Sequence, residues 1–156
     1  MFKEKIIFLD IDGVLNDHSA LNLYDESSTK TECIKELNHI LLSTFAQIVI
    51  ISNWAQQLSL ERLQEVLTER GVLLNRIKDS IKPTEVNGKN GLVYFTIQKD
   101  EFIAKYIKDN NIENYIIIDD NLHSSLLDES KIVKPNTFVG LTNKESEKAI
   151  EILLNK

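Results

Sequence analysis

Lys5-Ile6-Ile7-Phe8-Leu9-Asp10-Ile11-Asp12-Gly13-Val14-Leu15 is an apolar run that ends in two carboxylates and a glycine. Residues 5–9 read as a buried strand, since no polar side chain interrupts Ile6 to Leu9. Asp10 and Asp12 are two residues apart, so on an extended chain they point the same way. Gly13 permits a sharp turn directly behind them. In parallel α/β sheets ligands bind beyond the carboxyl ends of the strands. A pair of acids at that place is a candidate site, because a solvated surface charge has little reason to sit there.

The rest of the chain supplies a sheet for this strand. Residues 46–51 and 115–118 are two further apolar runs of strand length. Between them, residues 31–42 carry Ile34, Leu37, Ile40 and Leu41 at helical spacing. Residues 58–70 do the same with Leu60, Leu63, Val66 and Leu67, and Gly71 is a helix stop. Helical spacing returns over 99–108, and over 142–154 with Thr142 and Glu145 in a capping-box pattern. Residues 120–127 are read as a short helix, and 131–133 and 138–139 as short edge elements around Pro135. Residues 11–31 form a long polar loop that contains His18, and 75–98 have a weak pattern broken by Pro83, Asn87-Gly88 and Asn90-Gly91, with room for a short strand pair or a substrate loop. Buried strands alternating with amphipathic helices predict an α/β fold, a Rossmann-like doubly wound and mainly parallel sheet. No repeat, linker or composition break appears, so residues 1–156 are read as a single domain.

Composition narrows the classes. The chain has 156 residues, 24 acidic against 18 basic side chains and a formal charge of −6, which argues against a broadly nucleic-acid-coating surface. The one cysteine, Cys33, excludes an internal disulfide and a cysteine-only zinc site; on a helix it reads as a small apolar residue. No stretch reaches the roughly 18–20 apolar residues of a membrane span. The N-terminal apolar run stops at Asp10, too short for a signal-peptide core, so the expected compartment is the cytoplasm.

The strand over 115–118 ends in Asp119-Asp120, a second acidic pair. If the two strands are neighbours, four carboxylates converge on one crevice. Such a cluster repels itself unless a hard cation with oxygen ligands, such as Mg²⁺, resolves the conflict. The strand over 46–51 leads into Ser52-Asn53-Trp54, whose hydroxyl and amide can donate hydrogen bonds to an anion. Lys99, at the start of a predicted helix, brings a positive charge. Carboxylate nucleophile, Mg²⁺, hydroxyl and lysine are the parts that phosphoryl transfer to an aspartate needs.

These motifs resemble those of the haloacid dehalogenase (HAD) superfamily of phosphohydrolases over nearly the whole chain. Residues 8–15 resemble its first motif, Ile50-Ile51-Ser52 its second, Lys99 its third, and Ile118-Asp119-Asp120 its fourth in double-aspartate form. Together with Val139-Gly140-Leu141-Thr142, the pattern is similar to small HAD domains of Swiss Army knife RNA repair proteins. Those often carry Ser-Ser-Trp-Arg at the second motif; here the segment is Ser52-Asn53-Trp54-Ala55, without the arginine. The resemblance implies a phosphomonoester hydrolase with Asp10 as nucleophile and Asp12 as general acid and base. It implies that the Asp12 backbone carbonyl also ligates Mg²⁺, alongside Asp10. It makes Ser52 and Asn53 phosphate contacts and Lys99 the charge-neutralising group. Asp120 is favoured as the direct metal ligand, with Asp119 a second ligand through water or the residue that orients Lys99.

Lys82, followed by proline, is the alternative to Lys99; it lies 38 residues before Asp120, and Lys99 lies 21 before it. One helix and a short loop fill the shorter interval, which favours Lys99. Trp54 is read as a packing residue beside the site. About 41 residues separate Asp10 from Ser52 and about 46 separate Ser52 from Lys99, each including a helix, so no large cap domain fits. An open site suits a phosphorylated macromolecule, such as an RNA or DNA end or a phosphoprotein, or a lid supplied by a partner; oligomeric state is left open. A receiver-type signalling domain would place its phosphoacceptor aspartate on the middle strand, where Ser52 stands. A non-catalytic phosphate-binding module would not need both Asp10 and Asp12. A Toprim-like nuclease would carry an early glutamate that is missing here.

Overall fold

The apolar run around Phe8 is the central strand of a five-stranded parallel sheet. The structure, a computed structural model, describes residues 3–16, 29–82 and 99–155. Strand β1 (Lys5–Leu9) pairs on one side with β2 (Gln47–Ile50) and on the other with β4 (Asn114–Ile118). Outside these lie β3 (Ile77–Ser80) and β5 (Ile132–Val133), and the order is β3-β2-β1-β4-β5. All the pairings are parallel. This is the doubly wound, Rossmann-like arrangement expected from the sequence.

Two apolar layers cover the two faces. On one lie α1 (Thr31–Thr44), α3 (Leu60–Glu69) and α5 (Asn143–Leu153), packed with Ile7, Leu9, Ile48, Ile50, Ile116 and Ile118. On the other, α4 (Lys99–Asp109) sets Ile103 against Ile6, Phe8, Val49, Ile51 and Ile117. The alternation along β1 explains this division: Ile6 and Phe8 face one layer, Ile7 and Leu9 the other, and all four are fully buried. Burying each such side chain contributes about 1.5–3 kcal/mol. Phe8 also meets Tyr106 of α4 edge to face, with ring centroids 5.7 Å apart.

Local signals set the helix ends. Ser59 caps α3, its Oγ accepting from the Arg62 N–H at 3.1 Å. Beyond it Gly71 takes φ +108°, and Val72 N–H returns to the Leu67 carbonyl at 3.0 Å. The Glu145 carboxylate accepts the Thr142 N–H at 3.0 Å, the return bond of the expected capping box.

The structure adds two elements to this reading and corrects one. The segment read as one helix over 58–70 is preceded by a separate turn of helix, α2 (Trp54–Gln57). Residues 120–127 are not helical; a 3₁₀ turn follows at Glu129–Lys131 instead. Leu122 and Leu127 are both buried under the α4 face, and the two anchors five residues apart do not share a helical face. Inside the weakly patterned 75–98 lies β3, whose Lys78, Asp79 and Ser80 carry no apolar signal. As an edge strand it needs little. His18 and the turn signals from Pro83 to Gly91 lie outside the described residues.

Gly140 closes the far end of the first motif. Its φ is +82°, and a Cβ there would lie 2.7 Å from Cys33 Sγ, 2.9 Å from the Asn16 carbonyl and 3.0 Å from the Val14 carbonyl. Next to it Leu141 N–H donates to the Val14 carbonyl at 2.7 Å. Left-handed backbone costs a non-glycine residue about 1–2 kcal/mol, and overpacking about 1–3 more. Gly140→Ala is therefore expected to lower unfolding free energy by about 2–5 kcal/mol. Urea titration checks this, and a loss within experimental error would show that the segment shifts freely. Among the described residues there is no separate cap domain, and no helix is long and apolar enough to cross a membrane.

Candidate active site

β1 and β4 run side by side in register, Leu9 opposite Ile118. The residues that follow the two strands are therefore neighbours, and the Asp10 N–H still donates to the Ile118 carbonyl at 2.9 Å. In the order 3-2-1-4-5 the connections turn in opposite directions from this pair, which opens a crevice at its carboxyl end. Asp10, Asp119 and Asp120 each send a carboxylate oxygen there, and these oxygens lie within 4.8 Å of one another. Gly13 makes room for the third: a Cβ on it would fall 2.2 Å from Asp120 Oδ2. The glycine after the acidic pair thus serves close approach as well as its φ of +80°.

Lys99 enters because α4 starts above the carboxyl ends of the strands and places its first residue over the crevice. Its Nζ lies 2.5 Å from Asp119 Oδ2 and 3.5 Å from Asp10 Oδ1. The other lysine considered, Lys82, is exposed just past β3. Burial pushes the Asp10 carboxyl well above the usual carboxylate range; Lys99 opposes this, and Asp119 and Asp120 add to it. For Lys99, burial favours the neutral amine, but Asp10 and Asp119 outweigh it and hold the ammonium above its ordinary range.

One lysine faces three carboxylates, so negative charge remains in excess. The donors are hard oxygens, the set that Mg²⁺ or Ca²⁺ takes rather than a thiophilic metal. Asp119 Oδ2 is buried without a hydrogen bond of good geometry among the described residues, its charge answered only in part by Lys99. Asp119 Oδ1 accepts from the Asn121 N–H at 2.9 Å, and Asp120 Oδ2 accepts from the Thr137 hydroxyl at 2.7 Å. The residues present fit a divalent cation, which Asp10, Asp119 and Asp120 could hold.

Asp12 behaves differently from the other three acids. Its carboxylate is not in the cluster; it is taken by Asn16 and Trp54. Asn16 Nδ2 donates to Asp12 Oδ1 at 2.9 Å, while Asn16 Oδ1 accepts the Gly13 N–H at 2.8 Å. Trp54 Nε1 lies 3.3 Å from both carboxylate oxygens. The anticipated convergence of four carboxylates is one of three, with the fourth held at the rim.

Ser52 and Asn53 follow β2, next to β1. The Ile51 N–H donates to the Leu9 carbonyl at 2.9 Å, which brings Ser52 level with Asp10. Ser52 is buried, and its Oγ accepts the Trp54 N–H at 3.2 Å. It is a turn-forming residue whose hydroxyl proton is still available to donate. Asn53 Oδ1 accepts from Gln56 Nε2 at 3.4 Å, so its amide nitrogen is the group that remains for an anion.

Sequence reasoning missed three contributors. Asn16 was only one polar residue in a loop, although its spacing from Asp12, four residues, was visible. Trp54 was read as packing; it is fully buried and cannot stack on a base, yet its indole N–H reaches Asp12. Thr137 gives no signal at all in sequence. It reaches Asp120 because residues 136–140 fold back in a turn after β5, with Val139 N–H bonded to the Asn136 carbonyl at 3.0 Å.

The family described as "HAD domain in Swiss Army Knife RNA repair proteins" matches residues 6–146. No curated protein and no solved structure matches the chain. The matched region runs from β1 into α5 and so includes every strand of the sheet and every acid of the crevice. A match of that extent shows kinship: the chain belongs to this HAD family, which supports a HAD-type phosphatase in general terms.

Proposed function

We propose that this chain is a Mg²⁺-dependent phosphomonoester hydrolase that works through an aspartyl-phosphate on Asp10. The observation that supports this best is the buried juxtaposition of Asp10 with Lys99, Asp119 and Asp120 at the carboxyl ends of β1 and β4. A carboxylate there faces the Lys99 ammonium and, with a metal bound, would face a second cation, which lowers the repulsion between nucleophile and phosphate dianion. Asp10 and Asp120, with Asp119 beside them, would hold Mg²⁺, which would supply Lewis-acid charge at the phosphoryl oxygens.

In this reading an Asp10 oxygen attacks phosphorus as the bond to the leaving oxygen breaks. Asp12, protonated, gives its proton to that oxygen, and the products are an alcohol and the Asp10 acyl phosphate. Asp12, now a carboxylate, takes a proton from water as the water attacks phosphorus. The bond from Asp10 to phosphorus breaks, hydrogen phosphate leaves, and both aspartates return to their starting forms. Ser52 and Asn53 hold the phosphoryl oxygens, and Lys99 neutralises charge on Asp10 and the incoming group.

The substrate we infer is a phosphate at a nucleic-acid end, RNA or DNA. The family description names RNA repair proteins, and no separate cap covers the crevice among the described residues. The formal charge of −6 does not oppose this, since four of the acids, Asp10, Asp12, Asp119 and Asp120, are at the site. Attraction is then local, from the metal and Lys99. The test is a phosphatase screen with Mg²⁺ over 3′- and 5′-phosphorylated oligonucleotides, nucleotides, sugar phosphates and phosphopeptides. Highest kcat/KM on the oligonucleotide ends is expected. A preference for sugar phosphates would overturn the substrate assignment and leave the chemistry standing.

A further inference from the structure

Asp12 is gripped from two sides by groups that no part of the proposed chemistry requires. Trp54 Nε1 straddles the carboxylate, 3.3 Å from each oxygen. Asn16 Nδ2 holds only Oδ1, at 2.9 Å. Both partners are anchored in turn. Trp54 is fully buried, its backbone N–H tied to Ser52 Oγ at 3.2 Å; Asn16 is 1% exposed, its Oδ1 tied to the Gly13 N–H at 2.8 Å. A polar indole in an apolar core normally finds the nearest acceptor. Here that acceptor is the side chain two residues beyond the nucleophile.

We propose that Trp54 and Asn16 are positioning residues that orient Asp12 for proton transfer and leave Oδ2 as the oxygen that gives and takes the proton. Oδ1 accepts from both donors. Oδ2 accepts only the shared indole contact among the described bonds. A carboxylate without this clamp rotates about its Cβ–Cγ bond, and proton transfer depends on an oxygen standing within hydrogen-bond reach of the leaving oxygen. The clamp also links the turn after β1 to the turn after β2, so the acid and the Ser52 hydroxyl are set by one bond network. The proposal rests on the phosphatase reading above and concerns the proton-transfer part of it alone.

A general acid matters most where the leaving group is a poor one. Trp54→Phe keeps most of the ring and removes the N–H. It is expected to lower kcat/KM for an alkyl phosphate about 10–100-fold. The fall for p-nitrophenyl phosphate, whose leaving group needs no proton, should be clearly smaller, so the aryl-to-alkyl ratio rises. A purely structural role would lower both in equal proportion, and that result, or no fall on either substrate, overturns the proposal.

Trp54 is the only tryptophan, so its indole N–H gives a single ¹⁵N resonance in the wild-type protein. That resonance should be protected from exchange and should lose protection and shift in Asp12→Ala. If Trp54→Phe does not fold, this measurement decides: an indole signal indifferent to Asp12→Ala sinks the clamp. Asp10→Asn serves as the control for the underlying reading. Hydrolysis that survives in it removes the mechanism itself, whereas hydrolysis lost in it with an unchanged aryl-to-alkyl ratio in Trp54→Phe removes only the clamp.

Discussion

Asp10→Asn is expected to reduce kcat by about four orders of magnitude or more and to leave the fold intact. An amide oxygen is no nucleophile toward phosphorus, so no acyl phosphate forms. The substitution is isosteric, and the side-chain oxygen can still accept the Ile11 N–H, now at 2.9 Å from Asp10 Oδ1. Burial already disfavours the charged form of Asp10, and Asp119 and Asp120 add repulsion. Removing that charge should keep the melting temperature unchanged or raise it slightly, since Lys99 retains Asp119. Turnover with excess Mg²⁺, thermal melting and loss of beryllium fluoride binding are the measurements. Near-normal turnover in a folded Asp10→Asn protein would falsify the aspartyl-phosphate mechanism.

Chelation should have an effect of the same order. EDTA is expected to silence hydrolysis, and added Mg²⁺ to restore it. Three carboxylates with oxygens within 4.8 Å of one another, and one ammonium among them, are left with unbalanced negative charge. A divalent cation removes that conflict in the folded chain and finds no such cluster in the unfolded one. Linkage then raises folding stability by about 2.7 kcal/mol at a free metal concentration one hundred times Kd. Melting temperature should therefore climb with Mg²⁺ even in the absence of substrate. Asp120→Asn should shift that titration to higher Mg²⁺, because Asp120 stands in the cluster while Thr137 holds it in place. A melting temperature indifferent to Mg²⁺, or full turnover in EDTA, would remove the metal from the proposal.

The fold was largely legible because burial and periodicity are local properties of the chain. Ile6 to Leu9, Ile48 to Ile50 and Ile116 to Ile118 are wholly apolar, and a strand covered on both faces leaves that mark in sequence. Helices α1, α3, α4 and α5 show their buried stripes for the same reason. β3 left only a weak pattern, because an edge strand with Lys78, Asp79 and Ser80 has no stripe to show. The segment after Asp120 is not the short helix expected, because Leu122 and Leu127, five residues apart, each pack separately under the α4 face.

The sequence by itself determined that Asp10, Asp12, Asp119 and Asp120 would stand at strand ends, since an apolar run that stops at an acid says so locally. It also carried Gly13 and Gly71, whose turns admit few other residues. Only the tertiary structure decided which acids share the crevice, because that depends on β1 and β4 being neighbours in register. Asp10, Asp119 and Asp120 meet there, while Asp12 is drawn to the rim by an indole 42 residues away and an amide four residues away. The same holds for Lys99 over Lys82: both are lysines in polar surroundings, and one is brought to Asp10 by the direction in which α4 crosses the sheet. Strand ends are written in the order of residues. Partnership across them follows from register and helix direction, which the chain acquires only when the sheet assembles.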